Sequence, residues 1–491
     1  MERLDEFEVR KAKIEDLREK GLEPYPYRFE KTHDSLFIKE HFDELEGKTV
    51  SIAGRIITKR VFGKLSFAHL RDEQGDIQIA IQKGTSKVPQ VEEDGAKFFK
   101  KYIDVGDIIG IKGKVFKTKT GEVTVLAEEF VILAKGLRPL PEKWHGLKDK
   151  EVRYRERYLD LIVNKETREV FKKRSQIIQL MREFFIEKGF LEVDTPILQP
   201  IYGGAFAKPF ETYSNALDTK LYLRIADELY LKRLLVGGFE KVFEFAKDFR
   251  NEGIDRLHYP EFIGLEAYAA YWDYNDMMEL TEELFEELAV KLYGSPEIDY
   301  QGEKITFKRP FPRISYLDEL EKKLGNDPLG MTLKELRSVG VELGLKNANR
   351  LPFNRLLDKI FDNLVADHIK NPTFVVDHPL VISPLAKRHR EFEERVERFE
   401  LFILGMEFAN AFSELNDPVD QRKRFEEQIK FRQEGDEEIP AEIDEDFLKA
   451  LEYGMPPAGG IGFGVDRIVM LFTNQYSIRD VILFPQLRPK S

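Results

Sequence analysis

Apolar and polar residues alternate over Thr49–Ile57, Leu65–Arg71, Ile77–Gln82, Ile108–Phe116 and Val123–Leu133. That period belongs to half-buried strands, and Gly63, Gly75, Gly106 and Gly121 fall between or beside them as turn residues. Five strands with one helical insertion near Pro89–Tyr102 predict a small β-barrel of the oligonucleotide-binding type, the OB-fold. Lys117 to Gly121 forms a basic turn between the last two strands, and a proline-marked link, Leu137-Arg138-Pro139-Leu140-Pro141, follows the barrel. From Thr167 the period becomes 3.6. Val170, Phe171, Arg174, Ile177, Ile178, Met181, Phe184 and Phe185 share one helical stripe, which Gly189 ends. Strand patterns then appear at Phe190–Val193, Leu221–Ile225, Val242–Phe249 and Phe262–Tyr271, and helices at Met277–Tyr293 and Phe353–Ile369. Strands and helices do not alternate regularly, which predicts an α+β domain on a mostly antiparallel sheet. At the N-terminus Leu4, Phe7, Ile14 and Leu17 mark a surface helix. The expected organisation is a helical extension over 1–47, the barrel over 48–136, a linker over 137–150 and the α+β domain over 151–491.

The 491 residues suffice for two or more domains. The longest apolar run is Ala267 to Trp272, too short to cross a membrane. There is no cysteine, which removes disulfides, thiolate metal sites and cysteine nucleophiles and suits a cytoplasmic enzyme. The net charge of −12 is unevenly spread. Residues 48–145 hold 18 Lys and Arg against 12 Asp and Glu, whereas 146–491 hold 50 against 63. A basic barrel on an acidic body is compatible with RNA binding and equally with an ordinary solvated surface.

Four clusters carry candidate chemistry. Phe249-Arg250-Asn251-Glu252-Gly253, followed by Arg256, His258 and Phe262, offers a guanidinium for a phosphate and a ring for a base. Pro457 to Arg467 is glycine-rich without dinucleotide or Walker spacing; it suits close packing beneath a ligand, with Arg467 at a helix start. Glu400, Glu407 and Glu414, with Asn410 and Ser413, form an acidic set suited to Mg²⁺ or to a solvated surface. Asp227-Glu228-Leu229-Tyr230-Leu231-Lys232-Arg233 places acids at an apolar helix start, either as helix-end dressing or as a partly buried cation receptor.

In this order the clusters resemble the class II aminoacyl-tRNA synthetases, and within them the bacterial-type lysyl-tRNA synthetases. Gly189 to Pro196 is similar to motif 1, Phe249–Phe262 to motif 2 and Gly462–Arg467 to motif 3; Leu223 to Ala226, Glu228 to Arg233 and Phe412 to Asp417 match the lysine-specific context. The resemblance spans about residues 50 to 488. It implies an OB-fold barrel joined to a class II catalytic domain, acting on ATP, L-lysine and tRNA(Lys), with RNA rather than DNA as the nucleic acid and a homodimer formed through the motif 1 region. Arg250 would hold the α-phosphate and the substrate carboxylate, Arg467 the γ-phosphate, and Phe262 the adenine. Glu252 and His258 would contact the nucleotide, and Glu400 with Glu407 would carry Mg²⁺ bound with ATP. Gly204 and Glu266 would bind the α-amino group, with Asn410 near the carboxylate. Glu228, Glu414 and Tyr268 would receive the ε-ammonium, an assignment that physics supports because a buried cation needs paired anions. In the barrel, Phe67 would stack on the central anticodon base, with Gln78 and Glu129 reading its edge and Arg55 nearby. Aspartyl and asparaginyl relatives share this framework, but an acidic substrate wants Lys or Arg where this chain has Glu228 and Glu414. Three departures from the family pattern stand out: Asp227 in place of proline, Lys208 in place of arginine, and Tyr213-Ser214 in place of two histidines. Asp227 is expected to add negative charge beside the ammonium pocket.

Overall fold

The computed structural model describes residues 5–141, 147–433, 438–440 and 442–489. Leu4 of the N-terminal stripe and part of the expected linker lie outside them. The chain forms two compact units, dividing between Lys148 and Asp149.

In the first unit, β1 (Thr49–Phe62), β2 (Leu65–Arg71), β3 (Asp76–Gln82), β4 (Ile108–Lys117) and β5 (Val123–Ala134) close into a barrel of order β1-β2-β3-β5-β4. Alternate residues such as Ile52, Leu70, Ile79, Ile111 and Val125 fill it, as the period-2 pattern requires. The inserted helix, Gly95–Tyr102, buries Phe98 and Phe99 edge-on against Phe130. The N-terminal helix, Glu6–Glu19, buries Arg10 together with Ile14 and Leu17, so its inner face is less apolar than the stripe predicts.

The second unit is built on one large sheet. Its strands are β6 (Leu191–Glu192), β7 (Lys241–Phe249), β8 (Glu261–Ala270), β9 (Arg313–Ser315), β10 (Thr373–Val376), β11 (Arg398–Ile403), β12 (Met406–Ser413) and β13 (Ala458–Gly464). They run in the order β9-β10-β11-β12-β13-β8-β7-β6, antiparallel except for one parallel pair at each edge. The helices Lys165–Glu187 and Tyr274–Tyr293 cover one face. Ile177, Met181, Phe185, Met277, Phe285 and Leu288 pack there on Phe243, Leu265, Ala267, Phe399, Leu401, Ala409, Ile461 and Phe463.

All of those central-strand residues are odd-numbered, and strand geometry therefore sends the even-numbered ones to the opposite face. Register then lines them up across the sheet. Glu400 pairs with Asn410, Asn410 with Gly462, Gly462 with Glu266 and Glu266 with Glu244. The next row runs Arg398, Phe412, Gly460 and Tyr268. One antiparallel register thus places residues from five strands on a common floor.

Several element boundaries differ from the sequence pattern, among them β1, which runs past Ile57 to Phe62. The helix expected over Phe353–Ile369 ends at Leu364 and gives way to a short turn at Ala366–His368. The helix expected to open at Arg467 begins at Val465, so Arg467 lies inside its first turn.

Candidate active site

A cavity of about 540 Å³ opens over the even-numbered face. Gly460, Gly462 and Gly464 line its floor. A Cβ at Gly460 would lie 1.9 Å from Glu414 Oε1 and 2.5 Å from the Tyr268 ring, so only glycine fits there. The tight packing that the glycine run predicts is thus made, at Gly460, by the protein's own side chains. Gly204 is also constrained, with φ at +87° and Ala226 and Glu228 crowding its missing Cβ at 3.0 and 3.3 Å.

At one end the cavity is lined by Arg250, Glu252, His258, Phe262 and Arg467, brought together by the β7–β8 turn and the helix after β13. Arg250 Nε donates to the Ile225 carbonyl at 3.3 Å, and its guanidinium lies 5.0 Å from the centre of the Phe262 ring. Arg467 donates to the Glu407 carbonyl at 2.7 Å and reaches the Glu407 carboxylate at 3.4 Å. His258 Nε2 lies 3.4 Å from Arg467, while its Nδ1 pairs with Asp255 at 2.8 Å. Glu252 is exposed at the rim.

Beside the arginines stands an acidic set. Burial pushes Glu400 up, but Arg398 at 2.6 Å and His378 at 3.4 Å outweigh it and hold the carboxyl at about 2. Glu407 is raised, first by burial and then by Glu400, against the pull of Arg467. Asp358, another lining residue, is pushed up to about 6 by burial and Glu400. Asp362 reaches about 8 through burial and Asp358. Glu407, Asp358 and Asp362 thus stay short of positive charge, whereas Glu400 is answered by Arg398 and His378; Glu400 and Glu407 both line the cavity and offer the oxygen ligands that Mg²⁺ takes. Arg398 also donates to Asn410 Oδ1 at 3.0 Å, so it fixes both Asn410 and Glu400.

The other end is acidic and nearly closed. Glu266 and Tyr268 line it, and the Tyr268 hydroxyl donates to Glu266 Oε2 at 2.8 Å. Glu266 is pushed up to about 8, by burial first and then by Glu228 and Asp248. Glu228 lines the cavity, whereas Glu414 stands one step behind the wall. Between them lies an ammonium of the chain itself. Lys232 Nζ is 2.6 Å from Glu228 Oε1 and 2.5 Å from Glu414 Oε2, with the side chain fully buried. Burial works against its charge, and the two carboxylates overcome that. Glu414 Oε1 is buried without a hydrogen-bond partner, and burial pushes its carboxyl up to about 8 against the pull of Lys232. Asp227 sits against Asp248 and Glu266, each contributing an oxygen within 4.8 Å of the others, and its charge also bears on Tyr268.

On the barrel Phe67 and Gln78 share one outer face, with Arg55 farther along it opposite Arg71 and Glu129 away from Gln78. The hairpin register sets Arg60 opposite Phe67; beyond a bulge between Ile56 and Thr58, Arg55 lies opposite Arg71 and donates to the Gly106 carbonyl at 2.7 Å. β3 meets β5 only over Thr124–Leu126, so the acid beside Gln78 is Glu122, at 2.6 Å; Glu129 lies opposite Lys112 on β4. His69 completes the face, 2.7 Å from Thr58 and 2.9 Å from Glu122. The alternation Phe67, His69, Arg71 already pointed to it.

Comparison with known proteins matches this arrangement. Residues 149–488 fit the family model for class II tRNA synthetases (D, K and N), and residues 50–133 fit that for the OB-fold nucleic acid binding domain. A lysine–tRNA ligase of Carboxydothermus hydrogenoformans is 54% identical over 483 residues, covering 98% of each chain. That of Thermotoga maritima is 52% identical over 498 residues, covering 99% of this chain and 97% of its own. The chain belongs to the lysine–tRNA ligase family. The large sheet is accordingly a class II synthetase domain, and the barrel is the OB-fold that accompanies it in this family.

Two residues central to this ligase site escaped the sequence reading. Arg398 shares a strand face with Glu400, a period-2 signal that was legible. Lys232 is four residues after Glu228 on the helix Glu228–Val236, the spacing of a helical ion pair, but its burial depends on Glu414 from a distant strand. Lys232→Met would leave two buried carboxylates without their resident cation. The expected loss is about 3–5 kcal/mol of stability, read as a lower urea midpoint at neutral pH. The loss should shrink as pH falls, because protonated carboxyls need no counter-ion; an unchanged midpoint at pH 7 would contradict the pairing.

Proposed function

We propose that this chain activates L-lysine with ATP and transfers it to the 3′-terminal adenosine of tRNA(Lys), with the cavity holding lysine and ATP end to end. The observation that carries the reading is the pair Glu228 and Glu414 with one resident ammonium. Two carboxylates and one lysine leave a deficit of one positive charge, filled by a proton in the empty pocket and by the substrate ε-ammonium in the complex. Glu228 and Tyr268 face that ammonium, with Glu414 behind them. Glu266 and the Gly204 backbone take the α-ammonium, and Asn410 lies by the carboxylate. An aspartate or asparagine side chain would meet this acidic end unfavourably.

A lysine carboxylate oxygen attacks the α-phosphorus of ATP, the bond to the bridging oxygen breaks, and pyrophosphate leaves with its electrons. The terminal hydroxyl of the tRNA then attacks the lysyl carbonyl and AMP departs. No side chain forms a covalent intermediate. Arg250 bridges the α-phosphate and the lysine carboxylate, Arg467 holds the γ-phosphate, and Phe262, Glu252 and His258 position the nucleotide, so catalysis is orientation and charge stabilisation. Glu400 and Glu407 would hold Mg²⁺, which neutralises triphosphate charge when bound.

The exposed apolar residues Leu191, Ile197, Leu198 and Leu217, in and after the segment similar to motif 1, support a homodimer through that region. The barrel face of Arg60, Phe67, His69 and Gln78 suits a single-stranded loop such as the anticodon. The cytoplasm, where translation takes place, is the setting that this reading gives the chain.

ATP–pyrophosphate exchange without tRNA should depend on lysine among the twenty amino acids; exchange with aspartate or asparagine instead would contradict the pocket assignment. Phe67→Ala should leave that exchange unchanged and raise the KM for tRNA about tenfold, the scale of one lost base stack. An equal effect on both reactions would mean that Phe67 serves the barrel core and not the tRNA.

A further inference from the structure

Three acids meet at the cavity wall at the end where Glu266 stands. Asp227, Asp248 and Glu266 each bring a carboxyl oxygen to within 4.8 Å of the other two. Asp248 and Glu266 line the cavity, and Asp227 lies beneath them, fully buried. Asp227 occupies the N-cap position of the helix Glu228–Val236, yet its side chain makes no capping hydrogen bond. Neither Asp227 oxygen accepts a hydrogen bond from any described N–H or O–H group. Its carboxyl stands instead against those of Glu266 and Asp248.

Buried carboxyls this close repel one another unless one of them keeps a proton, which it can then donate to its neighbour. We propose that Asp227 keeps that proton and donates it to Glu266, making Asp227 a positioning residue for the carboxylate that receives the α-ammonium of lysine. The inference rests on the lysine-activating reading of the cavity and deepens it.

The surrounding charges favour this state. Facing Asp227 are Glu266 from β8, Asp248 and Glu244 from β7, and Arg224 from the segment after Thr219–Leu223. Arg224 is the nearby cation, and its Nε and Nη1 are turned to other groups: Nη1 donates to Glu244 at 2.7 Å and to the Thr195 carbonyl, and Nε to the Lys247 carbonyl, with Asp248 at 3.4 Å. Arg250 acts on Asp248 rather than on Asp227. Glu228 and Tyr268 bear on Glu266 from its other side. The helix N-terminus favours an anion at Asp227, but three carboxylates outweigh it. Burial and Glu266 accordingly push the Asp227 carboxyl well up from the ordinary range. Glu266 then accepts from two donors, Asp227 and the Tyr268 hydroxyl, which orient it toward the arriving ammonium.

The sign of the pH dependence follows. Glu266, pushed up to about 8, is neutral in the empty pocket at lower pH and must lose its proton to hold the α-ammonium. The KM for lysine should therefore fall as pH rises from 6 to 8. Removing the Asp227 donor destabilises ionised Glu266 and moves that fall to higher pH.

The test is pyrophosphate exchange on the full-length enzyme with Asp227→Asn, which still donates, and Asp227→Leu, which does not. Asn should keep the wild-type lysine KM and its pH profile. Leu should raise the lysine KM about tenfold or more, the scale of a lost hydrogen bond to a charged group, shift the profile upward, and leave the ATP KM unchanged. Should the Leu variant fail to fold, infrared difference spectroscopy at neutral pH replaces it: the wild type should show a protonated-carboxyl band that Asp227→Asn lacks. Equal losses in Asn and Leu, unchanged KM values in both, or absence of that band would overturn the proposal alone. Absence of lysine-dependent exchange in the wild type would remove the underlying reading and the proposal with it.

Discussion

Burying more carboxylates than cations on one face of an antiparallel sheet is the constraint on which the rest of this structure depends. An isolated buried charge is expensive, so each acid must find a cation, a proton or a donor. Around the closed end of the cavity, Glu228 and Glu414 share Lys232, Glu244 and Asp248 share Arg224, and Glu266 leans on Tyr268 and Asp227. Such a set remains short of positive charge. Supplying it is what a diamine-like substrate does, and specificity then follows from the same imbalance that costs the empty protein stability.

The opposite end works with the reversed sign. Arg250, Arg398 and Arg467 face Glu400 and Glu407, and the arginine–carboxylate contacts hold both partners in place before any nucleotide arrives. A polyanion with its cation fits where guanidinium and carboxylate alternate. The two ends are joined by strand periodicity: Phe262, Glu266 and Tyr268 lie on one face of β8, and the glycines of β13 keep the floor beside them low.

Much of this was legible in the chain. Period-2 runs located all five barrel strands, and the odd-numbered apolar positions of β8 and β13 foretold which face is core. Glu228, Glu266, Glu400, Glu407 and Arg467 were visible as charged residues in otherwise apolar elements. What stayed hidden depends on pairing between distant segments. Lys232 reads as a helical surface lysine until Glu414 closes over it, and Asp227 reads as a helix cap until its carboxyl is seen against those of Glu266 and Asp248. On the barrel, the hairpin turn sets Arg60 opposite Phe67, a pairing that strand composition alone does not give, and a bulge in β1 beyond Thr58 leaves Arg55 opposite Arg71.

The central claim is that the closed end of the cavity recognises its substrate by one missing positive charge. The most direct measurement compares kcat/KM in pyrophosphate exchange for lysine and for norleucine, which matches lysine in its four side-chain carbons but carries no ammonium beyond them. A site built around buried partners for that ammonium should reject norleucine by about 10⁴-fold or more, because their charge is left unanswered. Discrimination of only tenfold to a few hundredfold, the range of an apolar pocket, would contradict the account.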